Sequence, residues 1–186
     1  MTVMMGIYLT ELDWTQIAGK MTLAQVADVV TLTFLPWFLK NLGYKKTLLI
    51  GIFAWVSRYF FLAGSNDTSW TSITLIYAAI LVHGVCYDFL FIAGQLYVDN
   101  EANERMRGAC QGFIAFILWG IGAFVGTMLA GKVLGMHTIK DADGLVTGHD
   151  WQTIWLTPAW LALGVMVVCF LFFRDPPKQP ADVLPS

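Results

Sequence analysis

Residues His83–Asn100 read HGVCYDFLFIAGQLYVDN. An imidazole, a phenol, a carboxylate and an amide (His83, Tyr87, Asp88 and Gln95) are set here among residues apolar enough to cross a bilayer. A charge at the centre of a membrane helix costs about 2.5–3.5 kcal/mol on insertion scales. Such a group is rarely retained without a partner or a task, so the stretch assigns the chain to the membrane class and makes Asp88 the residue from which function is argued.

Composition agrees. Of 186 residues, 57% are hydrophobic and 13% charged, with a mean hydropathy of +0.63. A soluble domain carries about 25% charged residues. The net charge of −2 argues against a nucleic-acid partner. Cys86, Cys110 and Cys169 all lie in apolar runs without CxxC or Cys/His spacing. They read as reduced packing residues, with neither a disulfide framework nor a zinc site. The start, MTVMMGIYL, lacks the basic segment of a cleaved signal peptide. No nucleophile elbow, metal-ligand cluster or cofactor fingerprint is present, so an enzyme is not expected.

Working outward, five spans are expected, at about residues 21–39, 47–64, 72–98, 108–134 and 151–173. Each is close to the roughly 20 residues that cross the hydrocarbon, and helices are the form in which a lone span satisfies its own backbone. The fold class is an all-α, polytopic membrane protein. Residues 1–20, interrupted by Glu11, Asp13 and Lys20, read as an extracytoplasmic lead-in, and the Pro-rich residues 174–186 as a disordered cytoplasmic tail. Lys40, Lys45, Lys46, Arg105, Arg107, Arg174 and Lys178 fall on one side, against Lys20, Lys132 and Lys140 on the other. The positive-inside rule then puts the C-terminus in the cytoplasm and the N-terminus outside. In the fourth span, Gly108, Gly112, Gly122 and Gly126 form two GxxxG pairs, which read as close helix packing. An odd number of spans suggests a fragment of a larger carrier, its N-terminal half missing.

The polar residues of the spans carry the function. Gln25 and Asp28 are three apart and share a helix face. His83, Tyr87, Asp88 and Gln95 occupy neighbouring stripes of another helix. Arg58 is the basic residue inside a span. It reads either as a structural ion pair with Asp28 or Asp88 or as a snorkelling side chain. A carboxylate kept from water can load and release protons near neutral pH, carboxylates and amides match sugar hydroxyls, and aromatic rings offer a face to a base. Two such acids beside amides and aromatics fit a proton-coupled carrier of a neutral polyhydroxylated or heterocyclic solute. Protons are then the coupling ion and no cofactor is expected.

The run HGVCYDFLFIAGQLYVDNEANERMRGACQGF, with DWQTIWL (Asp150–Leu156), Gln25-x-x-Asp28, Pro36, Gly43 and Trp55-x-x-Arg58, resembles the nucleoside:H+ symporter family of the major facilitator superfamily. The resemblance covers residues 20–173 and that family's helices eight to twelve. It implies a carrier of two six-helix bundles in the cell inner membrane, with a nucleoside held near mid-membrane between them. It also implies that Gln25, Asp28, His83, Tyr87 and Asp88 bind substrate and that Asp88 or Asp28 carries the proton. His83 stands where Tyr is usual in the family, Tyr87 where Phe is common and Asp28 where Glu is frequent. His83 thereby gains a second reading as a proton-handling group. A proton-coupled sugar or disaccharide carrier, and a non-transporting subunit built on half the fold, are the alternatives.

Overall fold

The computed structural model describes residues 2–65 and 67–174, so most of the expected tail lies outside the described residues. A short helix α1 (Thr2–Glu11) is followed by a very long one, α2 (Ile17–Ala63). After it come α3 (Trp70–Glu101), α4 (Arg107–Met136), a β-hairpin of β1 (Thr138–Lys140) and β2 (Val146–His149), and α5 (Trp151–Phe172). Among the described residues, α2, α3, α4 and α5 are long and apolar enough to cross a membrane.

The 47 residues of α2 would extend about 70 Å as a straight rod, more than twice the hydrocarbon thickness of about 30 Å. The helix is broken at Gly43, which adopts φ 80° and ψ 174°, a conformation open to a residue without a Cβ. The expected spans 21–39 and 47–64 lie on its two arms. Leu35 of the first arm and Leu48 of the second join one apolar cluster with Phe89 and Ala93. They would stand about 20 Å apart on an unbroken helix, so the chain folds back at Gly43.

Two apolar clusters hold the bundle. One gathers Tyr59, Leu62, Ile76, Ile80, Trp151, Ile154 and Trp155, together with Met5, Tyr8 and Leu9 of α1. The lead-in expected at residues 1–20 therefore contains a packed helix. The Tyr8 hydroxyl donates to the Ser65 carbonyl, and its ring meets Trp151 edge-on at 5.1 Å. The second cluster is built on Leu35, Leu48, Phe89 and Ala93. Along α3 the first cluster ends at Ile80 and the second begins at Phe89, so His83 to Asp88 sit between two apolar cores.

The hairpin had no counterpart in the span pattern. Thr138 pairs with His149 and Ile139 with Gly148, and the strands turn over Asp141–Gly144, with Gly144 at φ 81°. Its base is tied to α1: Glu11 accepts from Trp151 Nε1 at 2.6 Å and meets His149 Nδ1 at 2.5 Å.

Candidate functional site

Close approach of backbones positions the site. A Cβ placed on Gly84 would lie 2.6 Å from the Ala27 carbonyl carbon and 2.7 Å from Thr31 Oγ1. One placed on Gly51, in the second arm, would lie 2.9 Å from the Phe89 carbonyl carbon. The two arms of α2 thus meet α3 closely at Gly84 and at Phe89, on either side of Asp88, the second approach being allowed by Gly51 of α2. There α3 widens into a π segment over Asp88–Ile92, and the Ala93 N–H bonds the Asp88 carbonyl five residues back. π segments inside α-helices are frequent at functional sites. The indole N–H of Trp55 donates to the Cys86 carbonyl at 3.0 Å, pinning the turn just before it.

Asp88 is buried, with 2% relative exposure, and its Oδ2 accepts a hydrogen bond from the Thr31 hydroxyl of the first arm. Asp28 is half-buried one turn before Thr31 and lies within electrostatic reach of both Asp88 and Arg58. Its Oδ1 is sealed from solvent without a hydrogen-bond partner among the described residues. A buried acceptor of this kind asks for a donor. Gln25 is exposed on the first arm.

Arg58 is buried, and its Nη1 lies 2.8 Å from His83 Nδ1. The snorkelling reading is thereby excluded, since the guanidinium stays inside the bundle. Of the two carboxylates expected as its partner, Asp88 is bonded instead by Thr31, and Asp28 remains within its electrostatic reach. A guanidinium has only donors, so Nδ1 must be the accepting nitrogen and the His83 proton sits on Nε2. The same geometry disfavours a second positive charge on His83 while the contact is made.

Tyr87 turns the other way. Its ring lies 6.0 Å from Trp119 of α4 and 5.4 Å from Phe91, and Phe91 stacks on Trp119 at 5.6 Å. Trp119 belongs to a second π segment, Phe116–Gly122. Gln95 contributes its backbone carbonyl, which accepts from Gln111 Nε2 at 2.9 Å. The five expected binding residues therefore fall into groups, bridged where the His83 ring lies 6.2 Å from that of Tyr87. His83 and Asp88 face α2 together with Asp28, Tyr87 joins an aromatic group shared with α4, and Gln25 opens away from the bundle.

Thr31, Gly84 and Trp119 escaped the sequence reading. Thr31 and Trp119 look like ordinary apolar-helix residues, although Thr31 is three positions from Asp28 on the same face. A groove of about 440 Å³ between Leu49, Phe53, Met166 and Phe170 is lined by apolar side chains, and neither carboxylate lines it.

Comparison with known proteins places this arrangement. The Nucleoside H+ symporter family profile matches residues 1–178. The putative nucleoside transporter YegT of Escherichia coli K12 is 35% identical over 170 residues, 90% of this chain and 40% of that protein. The xanthosine permease of the same organism is 34% identical over 161 residues, 85% of this chain and 37% of that protein. A crystal structure of the nucleoside transporter NupG superposes with a TM-score of 0.77 at 25% identity, covering 94% of this chain and 43% of that one. The chain spans about two-fifths of the length of these relatives. The relatives are carriers by name, not enzymes, and their fold is the major-facilitator bundle, here in part. A multi-pass membrane protein with one carboxylate buried and a second half-buried among its helices, this chain belongs to the Nucleoside H+ symporter family.

Proposed function

We propose that the chain forms the second bundle of a proton-coupled nucleoside carrier of the cytoplasmic membrane, with its C-terminus in the cytoplasm. The observation that carries this reading is the pair Asp28 and Asp88, close enough to interact electrostatically inside an apolar bundle of this family. Like charges near one another favour protonation of one of the two acids. A proton entering from outside neutralises one acid, and substrate engages the other.

Each residue has a chemical part. Asp28, half-buried on the first arm, offers its carboxylate to a ribose hydroxyl, and the exposed Gln25 completes the contact. His83 offers its Nε2–H to an acceptor on the base, and Tyr87 with Phe91 and Trp119 supplies aromatic surface for it. The remainder of the carrier provides the opposite wall, and rocking of one bundle against the other gives alternating access.

The test is Asp88→Asn in the full-length carrier that contains this chain, reconstituted in proteoliposomes. Proton-driven uridine accumulation should be lost; accumulation that stays normal and pH-dependent would overturn the role of Asp88. Competition by sugars in place of nucleosides would shift the substrate class to a sugar carrier.

A further inference from the structure

We propose that Thr31 is the coupling residue of this carrier, a hydroxyl that passes the protonation state of Asp88 to the helix arm bearing Gln25 and Asp28. The inference rests on the proton-coupled reading above. It starts from a count: Thr31 Oγ1 has one proton and three acceptors within reach, namely Asp88 Oδ2, the Ala27 carbonyl at 3.0 Å and the Asp28 carbonyl at 3.1 Å. A hydroxyl donates one hydrogen bond and can accept as well.

With Asp88 ionised, Thr31 donates to the carboxylate across the helix interface. When a proton settles on Oδ2, the polarity reverses: Asp88 donates to Thr31 Oγ1, and the Thr31 proton turns to the backbone carbonyl of Ala27 or Asp28. The interhelical bond survives both states, and no other proton changes owner. What differs is the back-bond inside the first arm. Threonine hydroxyls that bond the carbonyl one turn back bend helices, and here the bend falls on the turn that holds Asp28 and, one turn earlier, Gln25. The geometry has no slack to absorb the switch elsewhere, because Gly84 already brings α3 into contact with Ala27 and Thr31.

The charged and titratable groups around this point are Asp28, Arg58 and Tyr59 from α2, and His83, Cys86 and Tyr87 from α3. Asp28 lies within electrostatic reach of Asp88, and the side chain that bonds the Asp88 carboxylate from the first arm is Thr31. Thr31 is therefore the direct link between the proton and the substrate-facing arm.

The experiment measures uridine dissociation constants of the full-length carrier in detergent at acid and alkaline pH, for wild type, Thr31→Ser and Thr31→Val. Wild type should show a ratio of about 5–150-fold, the usual range of site coupling. Thr31→Ser should keep it, and Thr31→Val should bring it close to one while binding at a single pH persists. A Thr31→Val carrier with the wild-type ratio overturns the proposal. A second readout needs no variant of Thr31: the infrared carbonyl band that appears on acidifying wild type and is lost in Asp88→Asn. A hydrogen-bonded frequency supports the Thr31 link, and a free-carboxyl frequency overturns it even if Thr31→Val does not fold. Wild type that binds uridine with no pH ratio sinks the proton-coupled reading and the coupling role with it.

Discussion

Arg58 Nη1 stands 2.8 Å from His83 Nδ1, so a buried guanidinium sets the tautomer of the imidazole beside it. Hydrogen bonds to a charged group contribute about 1.5–3 kcal/mol net, and an orphaned partner costs its desolvation as well. Arg58→Leu should lower thermal stability in detergent, as should His83→Leu by leaving the guanidinium underbonded. A double-mutant cycle of the two should give a coupling energy of about 1.5–3 kcal/mol; a coupling near zero would show that the contact is incidental.

Gly84 and Gly94 lie on the same helix but differ in their surroundings. A methyl group on Gly84 would press into the Ala27 backbone, whereas nothing lies within 4 Å of one on Gly94. Gly84→Ala should therefore cost about 1–3 kcal/mol through overpacking, while Gly94→Ala should be neutral or stabilising by up to about 1 kcal/mol from helix propensity. Thermal unfolding of the two variants side by side checks the contrast, and equal melting temperatures would dismiss the close approach.

Asp150 caps the N-terminus of α5, its side chain accepting from the Thr153 N–H at 3.2 Å. The Thr153 side chain first, and this backbone bond second, hold its carboxyl below the usual aspartate range. A folded-state pKa below the unfolded one means the contribution is complete above the unfolded value, about 3.9, and fades as pH falls through the folded value. Asp150→Ala should cost about 1 kcal/mol at neutral pH, and Asp150→Asn, which keeps an acceptor, should cost less and remove the acid dependence. Unfolding curves at neutral and acid pH separate the two.

Glu11 ties the hairpin to the bundle through His149 and Trp151. Glu11→Ala should leave the helices in place and raise amide hydrogen exchange across Thr138–His149. Unchanged exchange in that segment would mean the hairpin is held by other contacts.

Much of the fold is legible in the sequence because lipid demands long apolar runs, and the polar residues stand out against them as costly exceptions. What the sequence conceals is pairing. Asp88 announces itself, but Thr31 does not, since a threonine in a membrane helix satisfies itself on its own backbone and leaves no cost to notice. Gly84 reads as one more small residue, and only the crossing of α2 shows that no side chain fits there. The partner of Arg58 depends on which face of α3 meets the second arm, and the π segment at Asp88 moves that face out of the ordinary helical phase. The hairpin did leave a signal: Asp143–Gly144 between Thr138–Ile139 and Val146–Thr147 is turn chemistry flanked by strand formers.

Helix α4 carries no buried side chain in its hydrophobic window, yet its mean hydropathy is 2.1. Within this chain α4 is held by the Trp119 contacts with Tyr87 and Phe91, by the Gln111 bond to the Gln95 carbonyl, and by Val133 and Leu134 against the first apolar cluster. Apolar exchanges along its exposed length should leave the packing within this chain unchanged. Because α4 meets the rest of the chain at few side chains, its surface can change shape without disturbing the contacts between α2 and the stretch of α3 that carries Asp88.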